Sequence, residues 1–279
     1  MGTHLGIWMM VLLMAVGCSS EESKDYLDRM SDEHRGDVPV ANAASELEQD
    51  TQASGESVTY ATVDGHEITG YLSKPDGESG SMPGLIVIHE WWGLNDNIRM
   101  MTDKLAGEGY VALAVDLYNG KVAESPDSAG KYARAVDEKA AIDNLKQAYN
   151  YLTQKQGVTN VGSIGWCFGG GWSLQTALAL PDKVDATVIY YGHLITDVDQ
   201  LKKLKMPILG LFGAEDSGIP PKQAKAFESA LDKAGVANSI HIYDGAGHAF
   251  ANPSGTRYQK EAAEDAWKKT VAFFAENLK

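Results

Sequence analysis

The chain is short of cysteine, of basic charge and of long apolar runs. Two cysteines in 279 residues allow at most one disulfide, which excludes a fold stapled by several bridges. Lys and Arg number 24 against 38 Asp and Glu, a formal net charge of −14. Nucleic acid is gripped through basic patches, so it is excluded as a partner. The N-terminal apolar run, Leu5 to Gly17, has 13 residues, too few for the roughly 20 that a membrane-spanning helix needs. What is there is ordinary for a globular protein: 44% hydrophobic, 22% charged, 29 Gly and 9 Pro. Collagen-like and wholly disordered chains are excluded, and this length fits a single α/β domain.

Charge is concentrated near the N-terminus. Residues 19–56 hold 11 acidic and 3 basic side chains, −8 of the total. Before them, the apolar run ends in Ala15-Val16-Gly17 and then Cys18, a pattern suited to a signal-peptide apolar core. The cysteine after small residues resembles the lipobox of bacterial lipoproteins, although Ala15 stands where Leu is usual. That resemblance implies removal of residues 1–17, lipidation of Cys18 and a periplasm-facing protein anchored in the cell envelope by lipid alone. Residues 19–56 lack sustained apolar periodicity, and such segments bury too little apolar surface to offset ordering. They are expected to form an acidic flexible tether, with at most a helical turn at Asp25–Met30 and nothing catalytic.

From Ser57 to the C-terminus the pattern is regular. Val58–Val63 and His66–Ser73 flank Asp64-Gly65 and predict a β-hairpin with a type I′ turn. Short apolar runs at Gly84–His89, Tyr110–Val115, Val161–Gly165, Ala186–Tyr191, Ile208–Phe212 and Ser239–Tyr243 predict strands. Helical spacing predicts helices over 97–108, 129–154, 169–180, 197–203, 222–234 and 256–277. The alternation implies an α/β fold, with a mostly parallel sheet and helices on both faces. Ligands of such sheets bind beyond the C-terminal strand ends.

Chemistry-bearing residues fall at those ends. Gly165-Trp166-Cys167-Phe168-Gly169 has the spacing of a nucleophile elbow with sulfur in place of the serine oxygen. A helix N-terminus there favours thiolate over thiol; a free cysteine is also commonly a buried core residue. Asp216, in Gly213-Ala214-Glu215-Asp216, and His248, in Gly245-Ala246-Gly247-His248, follow in the order acid then histidine. Glu215 competes for the acid position. Glu90 lies in His89-Glu90-Trp91-Trp92, where a poorly hydrated carboxyl rises in pKa and can hold the cysteine's proton. Backbone N–H groups of Phe168 and Trp91 are the expected oxyanion donors, and Trp92, Tyr118 and Phe250 are expected to line the pocket. His89-Glu90 lacks the second histidine of a zinc motif, and no metal or organic cofactor is expected.

Together, I-H-E-W-W-G, G-W-C-F-G-G, G-A-E-D and G-A-G-H-A-F resemble the dienelactone hydrolase (carboxymethylenebutenolidase) family of α/β-hydrolases over residues 57–279. The resemblance implies a Cys167–His248–Asp216 triad, with Glu90 activating the cysteine when substrate displaces their hydrogen bond. It also implies arginines holding a substrate carboxylate, yet Asp116–Gly120 and His248–Asn252 contain none; Arg134 and Arg257 lie farther along. The expectation is a monomeric hydrolase of a small ester or lactone. The alternatives are an acyltransferase or thioesterase with the same triad, or a non-catalytic envelope ligand binder.

Overall fold

The computed structural model describes residues 19–37, 54–75, 77 and 81–279. The signal-like run, Cys18 with its expected lipidation, and residues 38–53 lie outside the described residues.

The apolar runs build the centre of one sheet. β3 (Gly84–Ile88), β4 (Val111–Val115), β5 (Val161–Trp166), β6 (Ala186–Tyr190) and β7 (Ile208–Gly213) are buried along their whole length. β1 (Glu56–Val63) and β2 (His66–Ser73) form the expected hairpin at one edge. Asp64 and Gly65 carry it round at φ 49° and 80°, the positive values that a type I′ turn requires. β8 (Asn238–Tyr243) is the other edge, and the strand order is β1-β2-β4-β3-β5-β6-β7-β8. β3 to β8 run parallel, and β2 meets β4 antiparallel.

Successive side chains of a strand point to opposite faces, so each central strand feeds two cores. Leu85 and Val87 share one core with Ile98 and Leu105 of α2 (Asp96–Gly107) and Phe274 of α8 (Lys260–Leu278). Ile86 and Ile88 share the other with Leu145 and Leu152 of α4 (Glu138–Lys155). The chain is thus an α/β protein with helices on both faces, as expected. α3 (Pro126–Arg134), α5 (Phe168–Ala179), α6 (Val198–Leu201) and α7 (Pro221–Ala234) complete the body.

Two helix expectations need correction. The stretch 129–154 is two helices, because Asp137 accepts from the Ala140 N–H at 2.9 Å and caps a new start. The last helix begins at Lys260, not Thr256; the Gln259 N–H donates instead to the Phe250 carbonyl at 2.9 Å.

The larger correction lies in the acidic segment. Ser19–Glu33 is a helix, α1, and the expectation of one flexible tether over 19–56 does not hold for it. Tyr26 and Met30 of α1, and His34 in the turn that continues it (His34 N–H donates to the Met30 carbonyl at 3.0 Å), recur every fourth residue and so share one side, and each is 4% exposed or less. Asp28 and Asp32 are exposed. A high acid count is compatible with a packed helix when the charges gather on the solvent side. Among the described residues, no helix is long and apolar enough to cross a membrane.

Candidate active site

The loops after all six parallel strands converge on one sulfur. Cys167 follows β5 at φ 56°, ψ −119°, a left-handed conformation that costs a non-glycine residue of order 1–3 kcal/mol. Its flanks must be small. A Cβ at position 165 would lie 2.1 Å from the Gly169 carbonyl oxygen, and one at 169 would lie 2.2 Å from that of Ile88. The Cys167 N–H is tied to the Tyr190 carbonyl at 3.0 Å. The side chain therefore stands at the N-terminus of α5, where the helix dipole favours an anion.

His248 is brought in by the loop after β8. Its Nδ1 donates to Asp216 Oδ2 at 2.8 Å, and both side chains are fully buried. Asp216, after β7, also accepts from the Gly218 and Ile219 N–H groups, each at 2.8 Å, through Oδ1. With three donors the carboxylate is fixed in place. Glu215, the competitor, uses its N–H on the Ala246 carbonyl and takes no part in the His248 contact. Donor atoms of Cys167, His248 and His34 all lie within 4.8 Å of one another. The set suits a soft divalent cation such as zinc; without one, it sets a thiol between two imidazoles.

Electrostatics follow from this packing. Burial pushes the Cys167 thiol up, but the imidazoles of His248 and His34 outweigh it and lower the pKa to about 6. Burial presses His248 down, while the charges of Asp216 and Cys167 lift it well above its ordinary value. Burial, and then the charge of Cys167, push the Glu90 carboxyl up to about 8; His248 and Asn252 oppose this. The favoured state at neutral pH is a thiolate–imidazolium pair beside a protonated Glu90. The Glu90 pKa is raised as expected, but among the described residues its hydrogen-bond partner is the Asn252 amide and not the Cys167 thiol that the family resemblance implied.

Aromatic side chains wall the centre. His89 donates to the Glu90 carbonyl at 2.6 Å through Nδ1 and accepts the Leu117 N–H at 3.1 Å through Nε2. It thereby joins the loops after β3 and β4 as a neutral structural clasp, and burial keeps its pKa low. Trp92 and Tyr118 are buried. Phe250 packs on Tyr191 and Tyr243 at centroid distances of 5.4 and 5.2 Å, so it backs the Tyr191 ring. Tyr191 itself meets His248 at 5.1 Å.

The sequence profile of the "Dienelactone hydrolase family" matches residues 68–278. The chain belongs to the dienelactone hydrolase family. Among its relatives, "Protein usf" of Aquifex pyrophilus is 37% identical over 229 residues, 77% of this chain and 95% of that one. A Saccharolobus solfataricus chain named "Putative carboxymethylenebutenolidase" is 35% identical over 259 residues, covering 78% and 97%. A solved Klebsiella pneumoniae structure described as a "Putative Dienelactone Hydrolase" superposes with a TM-score of 0.73 at 27% identity, covering 80% and 99%. As a member of this family the chain is an ester or lactone hydrolase.

The arginines and the acid-rich segment meet in a way the sequence did not indicate. Arg134 and Arg257 are both engaged with the N-terminal segment. Arg134 pairs with Asp28 at 2.7 Å, and Arg257 pairs with Glu33 at 2.9 Å and with Asp37 at 3.2 Å. Tyr26 and His34 approach the sulfur from the same segment. The acid-rich composition concealed these residues, although the spacing of Tyr26, Met30 and His34 is a helical signal that could have found them. Asn252 was hidden in the loop after His248, and no pattern in the sequence marks it as the partner of Glu90.

Proposed function

We propose that the chain opens a small ester or lactone through a thioester intermediate, with Cys167 as nucleophile, His248 as acid and base, and Asp216 as the anchor of the imidazole. The observation that carries this is the buried run Asp216–His248–Cys167 across three strand ends, with the 2.8 Å bond from Nδ1 to the carboxylate. It fixes the tautomer and leaves Nε2 for the nucleophile.

The thiolate attacks the carbonyl carbon, and the negative oxygen is received by the Phe168 and Trp91 backbone N–H groups. Collapse breaks the acyl–oxygen bond, and the His248 imidazolium protonates the leaving alkoxide. In a lactone that alcohol stays attached to the acyl group. Water, losing a proton to His248, then attacks the thioester and releases acid and thiolate. Glu90 keeps its proton through the neutral range, so no second anion stands beside the sulfur. The Tyr118 and Tyr191 hydroxyls and the Trp91 indole N–H are buried without acceptors among the described residues. Buried donors left unpaired are costly, which favours an acyl group bearing further oxygens over a plain alkyl one.

The decisive measurement is hydrolysis of a panel of aryl esters and lactones by the wild-type chain and by Cys167→Ala. A thioester trapped on residue 167 by acid quench supports the route, and equal rates for the two proteins would remove it. Attachment through a lipid on Cys18, facing the periplasm, and action as a monomer are part of the same proposal. In the sequence Cys18 immediately precedes α1. Metabolic labelling with a fatty acid, lost in Cys18→Ser, tests the anchor.

A further inference from the structure

Cys167, Glu90, Asp216 and His248 are each 2% exposed or less. A cavity of about 110 Å³ nearby is lined by Met101, Trp166, Tyr190 and Trp267, but by none of the four. A hydrolase whose reacting atoms are sealed must open to admit an ester. α1 and the turn after it, 34–37, are what lie over the sulfur. The His34 Nε2 is 3.8 Å from Cys167 Sγ, and its ring packs on Trp91 at a centroid distance of 4.4 Å and on His248 at 5.1 Å. Its Nδ1 donates to Asp37 Oδ2 at 2.9 Å. The sulfur thus stands between two histidine–aspartate pairs, one from the sheet and one from the N-terminal segment. Met30 reaches the loop of Asp216, where a Cβ on Gly218 would lie 1.9 Å from its terminal carbon.

The ties holding α1 are side-chain ties. Arg29 donates to the Gly218 carbonyl at 3.3 Å, Glu33 accepts from Ser217 and Arg257, and Asp28 pairs with Arg134. No strand ladder includes α1. Such ties are individually weak and salt-sensitive, unlike the sheet beneath.

We propose that α1 is a hinged roof of the active site and that His34, oriented by Asp37, is a positioning residue: it holds the Cys167 sulfur while the roof is shut and leaves with α1 when the ester enters. The role rests on the hydrolase reading only for its purpose. Closure over the sulfur is observable without turnover. The titratable groups around that sulfur are His248, Asp216, Glu90, Tyr118 and Tyr191 from the strand-end loops, and Tyr26, His34 and Asp37 from the roof.

A disulfide between α1 and α3 tests the hinge. A Cβ at Gly130 falls 3.2 Å from Ser31 Oγ, and its closest neighbour is the mobile end of Arg134. The pair Ser31→Cys and Gly130→Cys is therefore within bridging reach, in a chain also carrying Cys18→Ser. Alkylation of Cys167 by iodoacetamide is expected to slow at least about tenfold on oxidation and to recover on reduction, since reaction follows the open population. Ester turnover should follow the same switch. Equal alkylation of the oxidised and reduced forms would overturn the roof. Alkylation that switches while no form hydrolyses any ester would keep the roof and remove the hydrolase reading.

His34→Gln separates positioning from mere cover. The pH midpoint of Cys167 alkylation should rise, because the imidazole 3.8 Å from the sulfur no longer holds the thiolate. An unchanged midpoint would refute the positioning role. Should the double-cysteine protein fail to fold, Arg257→Ala in the wild-type chain, which cuts two ties of the roof, must speed alkylation for the proposal to survive.

Discussion

The elbow at Gly165–Gly169 and the helix Ser19–Glu33 meet at the same sulfur and are held by different forces. The elbow is fixed by backbone. β5 is bonded to β3 and β6 along its length, and the glycines admit carbonyl oxygens where a Cβ would stand at 2.1 and 2.2 Å. α1 is held by a buried face of three side chains and by ion pairs at partly exposed positions, Arg257 being 26% exposed and Glu33 14%. Covalent chemistry needs reacting groups placed within fractions of an ångström, which a sheet supplies. Admission of substrate needs an element of low local stability, which a helix docked by side chains supplies.

The comparison breaks most visibly at the sulfur. Cys167→Ala should lower ester turnover by at least about 10³-fold while α1 stays docked, a result read by kinetics beside circular dichroism. Asp216→Asn follows: with the imidazole tautomer no longer fixed, kcat should fall by roughly 10²–10⁴-fold, again with little change in unfolding. Gly165→Ala strikes the frame. A methyl driven into the Gly169 carbonyl should cost of order 1–3 kcal/mol or more, seen as a lower Tm. The same substitution at Gly36, where a Cβ meets nothing within 4 Å although φ is 85°, should lower Tm less.

Charge sharpens the comparison. With Cys167 as the proposed nucleophile, activity should rise with pH through about 6, as the sulfur loses its proton, and fall above about 8, where Glu90 loses its proton and adds a second anion. Glu90→Gln cannot ionise. It should abolish the alkaline fall while keeping the pH 7 rate within about tenfold, and a pH–rate profile that keeps its descending limb would count against Glu90 as the group. The smallest effect is expected at the roof: Arg257→Ala, or 1 M salt on the wild-type chain, should raise Cys167 alkylation only a few-fold, since each exposed pair contributes about 0–1 kcal/mol.

Much of the sheet was legible because burial on both faces writes an uninterrupted apolar run, as in Gly84–Ile88 and Val111–Val115. The turn at Asp64-Gly65 was legible because only certain residues tolerate two positive φ values. Positions 167, 216 and 248 were legible through glycine spacing at strand ends. α1 was not, since its apolar face of Tyr26, Met30 and His34 is diluted by acidic residues whose sum suggests a solvated tail. Nor was the break at Asp137, where one capping carboxylate outweighs a continuous run of good helix formers.

Local rules of steric fit and periodicity act between near neighbours in the chain, so the amino-acid order alone settled most of the strands and the tight turn at Gly165–Gly169. What meets the thiol in that turn is a matter of contacts between residues 133 positions apart, as His34 and Cys167 are. Such contacts are chosen by burial and charge summed over the whole fold, and only the tertiary structure could decide that the N-terminal segment closes over the site.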